Sequence, residues 1–163
     1  MVSALTIANK FIERAKRESA ELTNIQLQKL VYIAHGWSLA VLNRGLIHDS
    51  VEAWYFGPVI PSLYHNLKQY GAGVVEASIP VLSDQSLPST EQALLNSVWK
   101  GYGQMSAFEL STITHRENTP WSRTMKDFGL RSVIPEKYMA EYYRQLYDEQ
   151  IRRKQQHPQP TER

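Results

Sequence analysis

Apolar residues recur three and four positions apart at the start of the chain: Ala4, Ile7, Ala8, Phe11, Ile12 and Ala15. Lys10, Glu13, Arg14 and Arg17 fall on the opposite face, and Ser3 supplies a capping hydroxyl, so the spacing predicts an amphipathic helix. Thr23 with Gln26 three residues on predicts a capping box at the start of a second helix. Its apolar residues (Ile25, Leu27, Leu30, Val31, Ile33, Ala34, Trp37 and Val41) cover more than one stripe, which predicts a central helix touched on several sides. Gly36 lies within it, where Gly costs about 1 kcal/mol relative to Ala, and this marks the close approach of a neighbour.

Leu46-Ile47-His48 and Val51 to Phe56 read as two short strands around an Asp49-Ser50 turn, with Gly57-Pro58 breaking the second. Pro61 suits the first turn of a third helix carrying Leu63, Tyr64, Leu67 and Tyr70 and stopping at Gly71. Residues 72–88 read as a loop with an extended piece at 79–82. Ser89 with Gln92 and Ser106 with Glu109 each match a capping box. The first opens a helix with a face of Ala93, Leu94, Val98 and Trp99 that ends at Gly101 or Gly103, and the second a short helix with Phe108, Leu110 and Ile113. Thr119-Pro120 opens another, with Trp121 and Met125, ending at Gly129. A last helix starts near Pro135 with a stripe of Tyr138, Met139, Tyr142 and Leu146 reaching Ile151, and the polar residues 152–163 are expected to fray. The predicted fold is mainly α (α+β): a compact helical domain of about six or seven helices with one small antiparallel β-hairpin.

The length of 163 residues suits one domain with a sizeable core. The absence of cysteine excludes disulfides, Cys-ligated zinc, iron–sulfur clusters and thiol catalysis, and agrees with a reducing compartment. No apolar run approaches the ~18 residues of a membrane span, and the N-terminus lacks the apolar core of a signal peptide, so a cytoplasmic location without membrane contact is expected. A net charge of +2 does not demand a nucleic-acid partner. Two basic clusters, Lys10/Arg14/Lys16/Arg17 and Arg152/Arg153/Lys154, include or adjoin acids and read as solvated helix faces.

Catalytic chemistry finds no foothold. No His pair has zinc-ligand spacing, and the His115-x-Glu117 pattern lacks the cysteines a zinc deaminase requires. Gly71-x-Gly73 and Gly101-x-Gly103 do not continue as phosphate loops, and no Gly-x-Ser-x-Gly elbow occurs. No catalytic, cofactor or metal site is therefore expected. The densest unusual string runs from Glu52 through Trp54, Gly57 and Pro58 to Pro61, with Tyr64 one turn later. Its glycine and prolines stiffen a corner able to present Trp54 or Tyr64 at low entropic cost. The same corner also serves simply to turn the chain and pack the core.

Gln28-Lys29-Leu30-Val31-Tyr32-Ile33-Ala34-His35-Gly36-Trp37, the corner from Glu52 to Tyr64, and Leu110 to His115 followed by Pro120-Trp121 are three ordered motifs. Together they resemble the Panacea domain of SocA-like antitoxins in bacterial and prophage toxin–antitoxin systems. The resemblance covers residues 1–147 as a single domain and leaves 148–163 as a helix end and polar tail. It implies a protein antitoxin that binds and neutralises a toxin encoded by an adjacent gene. Delivery of that toxin to a Clp-type protease, or action as a small nucleic-acid-binding regulator, are the alternatives. No catalytic residues travel with the family. The motif positions offered as partner-binding or structural are Lys29, Tyr32, Trp37, Trp54, Gly57, Pro58, Tyr64, His115 and Trp121. Ile25-Gln26-Leu27 stands where the family often has a further lysine.

Overall fold

The computed structural model describes residues 1–76, 78–81, 86–158 and 160. They form α1 (Ala4–Arg17), α2 (Asn24–Val41), β1 (Glu52–Trp54), β2 (Gly57–Val59), α3 (Pro61–Leu67), α4 (Ser89–Tyr102), α5 (Ala107–His115), α6 (Pro120–Asp127) and α7 (Glu136–Gln156), with a single 3-10 turn at Lys68–Tyr70. The expected mainly helical fold with one antiparallel hairpin is what forms. Ser3 caps α1 through the Thr6 amide, and Thr23 and Gln26 close a reciprocal box at the start of α2. Thr119 and Ser122 do the same for α6, with Pro120 in its first turn.

α2 is the axis of the fold. It packs against α1, α3, α4, α5, α7 and β2, and almost its whole circumference is buried. Gly36 is the point of closest approach: a β-carbon there would overlap the Tyr143 ring of α7. That ring also meets Trp37, with centroids 5.4 Å apart, and presents its edge relation to Tyr32 at 6.2 Å. Tyr143 was not in the predicted stripe of α7, because Tyr142 beside it satisfies the same periodicity; Met139 and Tyr143 are the two residues α7 buries fully.

The hairpin differs from expectation. Leu46 and Ile47 do not form its first strand; Val2 pairs with this segment instead, donating to the Leu46 carbonyl at 3.0 Å and accepting from His48 at 3.1 Å. The Leu46 and Ile47 amides both point at His35 Nδ1 on α2. Asp49 does not shape a hairpin turn either: its carboxylate takes the Ala4 N–H at 2.7 Å and the Ser62 hydroxyl at 2.6 Å. The strands are Glu52–Trp54 and Gly57–Val59, paired Glu52 with Val59, Ala53 with Pro58 and Trp54 with Gly57, so Tyr55-Phe56 is the turn. Gly57-Pro58 therefore belongs to a strand rather than ending one. Ala53 directs its N–H to Ser132 and its carbonyl to the Arg131 amide, so the missing N–H of Pro58 leaves no gap in the ladder.

Smaller corrections follow the same logic. Ser89 is inside α4, and Pro88, whose ring has no hydrogen-bonding atom, takes the N-cap position; Gln92 donates instead to the Leu87 carbonyl. The buried face of α4 is Glu91, Leu95, Val98 and Trp99, while Ala93 is exposed. Phe108 stands out into solvent. The loop after Gly71 is tied down by Val75 on Leu22 and by the Asn9 side chain, which exchanges two 2.7 Å bonds with Ile79. Residues 79–81 are irregular, and residue 82 of the expected extended piece lies outside the described residues. α7 remains helical to Gln156 rather than fraying at Arg152.

Two outcomes are expected. Gly36→Ala, a change that favours an isolated helix by about 1 kcal/mol, lowers the unfolding free energy here by roughly 1–3 kcal/mol because the Tyr143 ring must move; a urea titration showing a gain would refute the close packing. His35 accepts two backbone N–H groups at Nδ1, and burial, outweighing attraction from Glu136, holds its pKa below the usual 6.5. The unfolded chain then binds the proton first as pH falls. Stability is present above 6.5 and declines below it, by about 1.4 kcal/mol per pH unit. His35→Gln removes that limb from a series of melting temperatures between pH 7.5 and 5.

Candidate functional site: an aromatic hairpin over a buried lysine

The free edge of β2 is finished by two side chains of α2. Gln28 Oε1 accepts the Ile60 N–H at 2.9 Å, and Lys29 Nζ donates to the Pro58 carbonyl at 2.9 Å. Both side chains are buried. An unpaired strand edge buried against a helix would leave backbone groups without partners, and these two residues supply them. Gly57 has φ +119°, and a β-carbon there would come within 2.9 Å of Lys29 Nζ and 3.2 Å of the His115 β-carbon. Only glycine combines that backbone conformation with the convergence of two side chains.

The other face of the hairpin is aromatic. Trp54 packs edge-on against Tyr64 of α3, with centroids 5.0 Å apart. Its backbone carbonyl accepts the Trp121 Nε1–H of α6 at 2.6 Å. Trp121 in turn meets the His115 ring at 5.5 Å, and His115 Nδ1 is hydrogen-bonded to the Ser111 carbonyl one turn back, which makes it a donor. Arg131 lies with its guanidinium 4.3 Å above the Trp54 ring. Its φ of +66° is a conformation few non-glycine residues adopt.

Between the hairpin, the start of α2 and α5 lies an open groove of about 420 Å³. Trp54, Tyr64 and Val59 line its walls together with Ile25, Leu130 and Arg131, and Lys29 is at its base. Tyr55 and Phe56, 72% and 76% exposed, stand at the tip of the hairpin and contact each other edge to face. Among the described residues no group of acidic and histidine side chains is arranged to hold a metal ion.

Of the residues singled out from the sequence, Lys29, Trp54, Gly57, Pro58, Tyr64, His115 and Trp121 come together around this hairpin. Tyr32 and Trp37 do not. They lie further along α2 against Tyr143, and Trp37 Nε1 donates to the Tyr102 hydroxyl at 3.2 Å. The exposed tip, the Ile25 and Leu130 rim and Arg131 were missed. The signal for the tip was present in Trp54-Tyr55-Phe56-Gly57-Pro58, but reading Val51 to Phe56 as one strand concealed a two-residue turn.

Burial pushes the Lys29 ammonium down to about 7 from 10.5. Between those two values the unfolded chain holds a proton that the folded chain has released, so stability rises with pH by about 1.4 kcal/mol per unit. Urea titrations from pH 7 to 9 are expected to show that rise in the native sequence and to lose it in Lys29→Met. An unchanged slope in the variant would mean that Lys29 is solvated.

Residues 27–122 match the family described as antitoxin SocA-like, Panacea domain, and all three sequence motifs fall inside that span. Over 129 residues the chain is 32% identical to the antitoxin SocA of Caulobacter vibrioides (strain NA1000 / CB15N), covering 74% of this chain and 69% of that protein. No solved structure matches it. Among the described residues no helix is long and apolar enough to cross a membrane. The match spans the lysine-bearing axis, the hairpin and the indole that clasps it, and the chain belongs to the antitoxin SocA-like, Panacea domain family.

Proposed function

We propose that this protein is an antitoxin that binds a toxin encoded beside it and neutralises it by direct protein–protein contact in the cytoplasm. The observation that carries this reading is the pair Tyr55-Phe56, largely exposed on a hairpin whose every edge is tied down. Large aromatic side chains held in solvent on rigid backbone lose little entropy on association and are the kind of anchor that dominates interface energy. Ile25 and Leu130, about half exposed, extend the apolar surface beside the tip. The 32% identity to a protein named antitoxin SocA supports the toxin-directed role. Residues 1–147 act as one domain in this reading, since α1 and α7 both pack on α2.

Neutralisation by occlusion requires an interface of ordinary size, roughly 1,600 Å² in total, with a few anchors at its centre. Direct contact rather than catalysis also fits a groove with two basic side chains and no acid–base pair among its lining residues. Co-expression with the neighbouring gene is expected to restore growth and to yield a complex that copurifies. Destroying the start codon of the antitoxin gene abolishes rescue; rescue that persists from transcript alone would exclude the protein as the agent. Rescue with no copurification and accelerated loss of the toxin would point instead to delivery to a protease.

Within such a complex, Phe56→Ser and Tyr55→Ser are expected to raise the Kd by about 30-fold or more with circular dichroism and melting temperature unchanged. Ile151→Ser, on the far part of α7, leaves binding as it was. Equal binding by all three variants would move the toxin-contacting surface away from the hairpin.

A further inference from the structure

Lys29 is more than a brace for the hairpin. Among the described residues the Pro58 carbonyl is the one hydrogen-bond partner of its Nζ, which has a donor left over in either protonation state. The side chain is 3% exposed yet is among the residues that line the groove. A buried amine with unmet donors is costly, and proteins retain such groups where a ligand completes them. Arg131 places a positive charge at the rim, and the lining residues include no Asp or Glu. The rest of the lining is largely apolar or aromatic (Ile25, Val59, Leu130, and Trp54 with Tyr64), with Asn24, Gln28 and Ser111 beside it.

We propose that the groove receives a segment of the partner protein carrying one Asp or Glu between apolar side chains, with Lys29 binding the carboxylate from below. Arg131 attracts the same charge from the rim, and the flanking apolar side chains lie on Ile25, Leu130 and the Tyr55-Phe56 tip. This rests on the antitoxin reading and specifies what the toxin must present. Charge complementarity decides the occupant: a carboxylate is drawn by Arg131 and favours the protonated Lys29 amine, whereas a basic segment is repelled by Arg131 and a purely apolar one leaves the amine unpaired beneath it. The His115 side chain of α5 converges with Lys29 at Gly57, Tyr64 of α3 and Arg131 line the same groove, and Glu52 is hydrogen-bonded to the Trp54 indole on β1. Among the described residues Lys29 forms no ion pair with any of them.

The free protein is titrated with acetyl-Leu-Asp-Leu-amide and with its Asn counterpart, followed by the amide NMR signals of Gly57, Val59 and Ser111. The Asp peptide is expected to bind at least tenfold more tightly, a preference lost in Lys29→Met and weakened several-fold in the exposed-site variant Arg131→Gln. Equal binding of the two peptides, an Asp preference that survives Lys29→Met in a variant shown by circular dichroism to be folded, or no movement of the groove signals overturns the proposal. In the copurified complex, a carbodiimide condenses the Lys29 amine with the partner's carboxylate into an amide, taking up the water lost as a urea. Mass spectrometry is expected to find Lys29 joined to an Asp or Glu of the partner; a complex that forms normally with Lys29→Met and lacks this link also overturns it. Failure to form any complex counts against the antitoxin reading, and the peptide titration still decides the groove.

Discussion

Two buried polar side chains on one helical turn hold the hairpin in place. Gln28 and Lys29 answer the Ile60 amide and the Pro58 carbonyl, the backbone groups that the edge of β2 would otherwise bury without partners. A two-stranded hairpin has little stability of its own in water. Here one edge ends on α2 side chains and the other on the 131–134 segment through Ala53 and Val51. Gly57 follows from the same constraint, because the amine and the His115 side chain occupy the space a side chain would need. The stiff corner that the prolines suggest is thus made stiff chiefly by what surrounds it.

The aromatic residues divide along α2. Toward its C-terminal half, Tyr32 and Trp37 close on Tyr143 and Tyr102, and their polar tips face inward. Toward its N-terminal half, Trp54, Tyr64 and Trp121 are half-buried, and Tyr55 and Phe56 are in solvent. One end of the axis is closed off as core, and the other keeps its rings within reach of solvent. A protein rich in Tyr and Trp can do both, since each ring combines large apolar area with a polar handle.

The helices were legible because their signals are local. Ser3, Thr23, Ser106 and Thr119 each accept the amide three residues on, as the spacing implies, and Gly36 marks the helix crossing that its cost suggested. The strands were not, because their register depends on distant residues: Val2 and His35 occupy the backbone of Leu46 and Ile47, and Ser132 and Arg131 that of Ala53. The cluster of Trp54, Gly57, Pro58, Tyr64, His115 and Trp121 could be drawn from the three motifs. Leu130 and Arg131 could not, since they belong to no periodic segment and reach the groove through a left-handed turn.

The clasp between Gly36 and Tyr143 also orders events at the ribosome. α2 leaves the exit tunnel about a hundred residues before the ring that covers it. Until α7 emerges, the Gly36 face of α2 lacks the Tyr143 ring even where Tyr102 of α4 already reaches Trp37, so a chain arrested before α7 carries the hairpin but not the helix that seats its axis. The motif-bearing half therefore exists for a time as a hairpin on an unsealed axis, and the fold is complete only once α7 has docked.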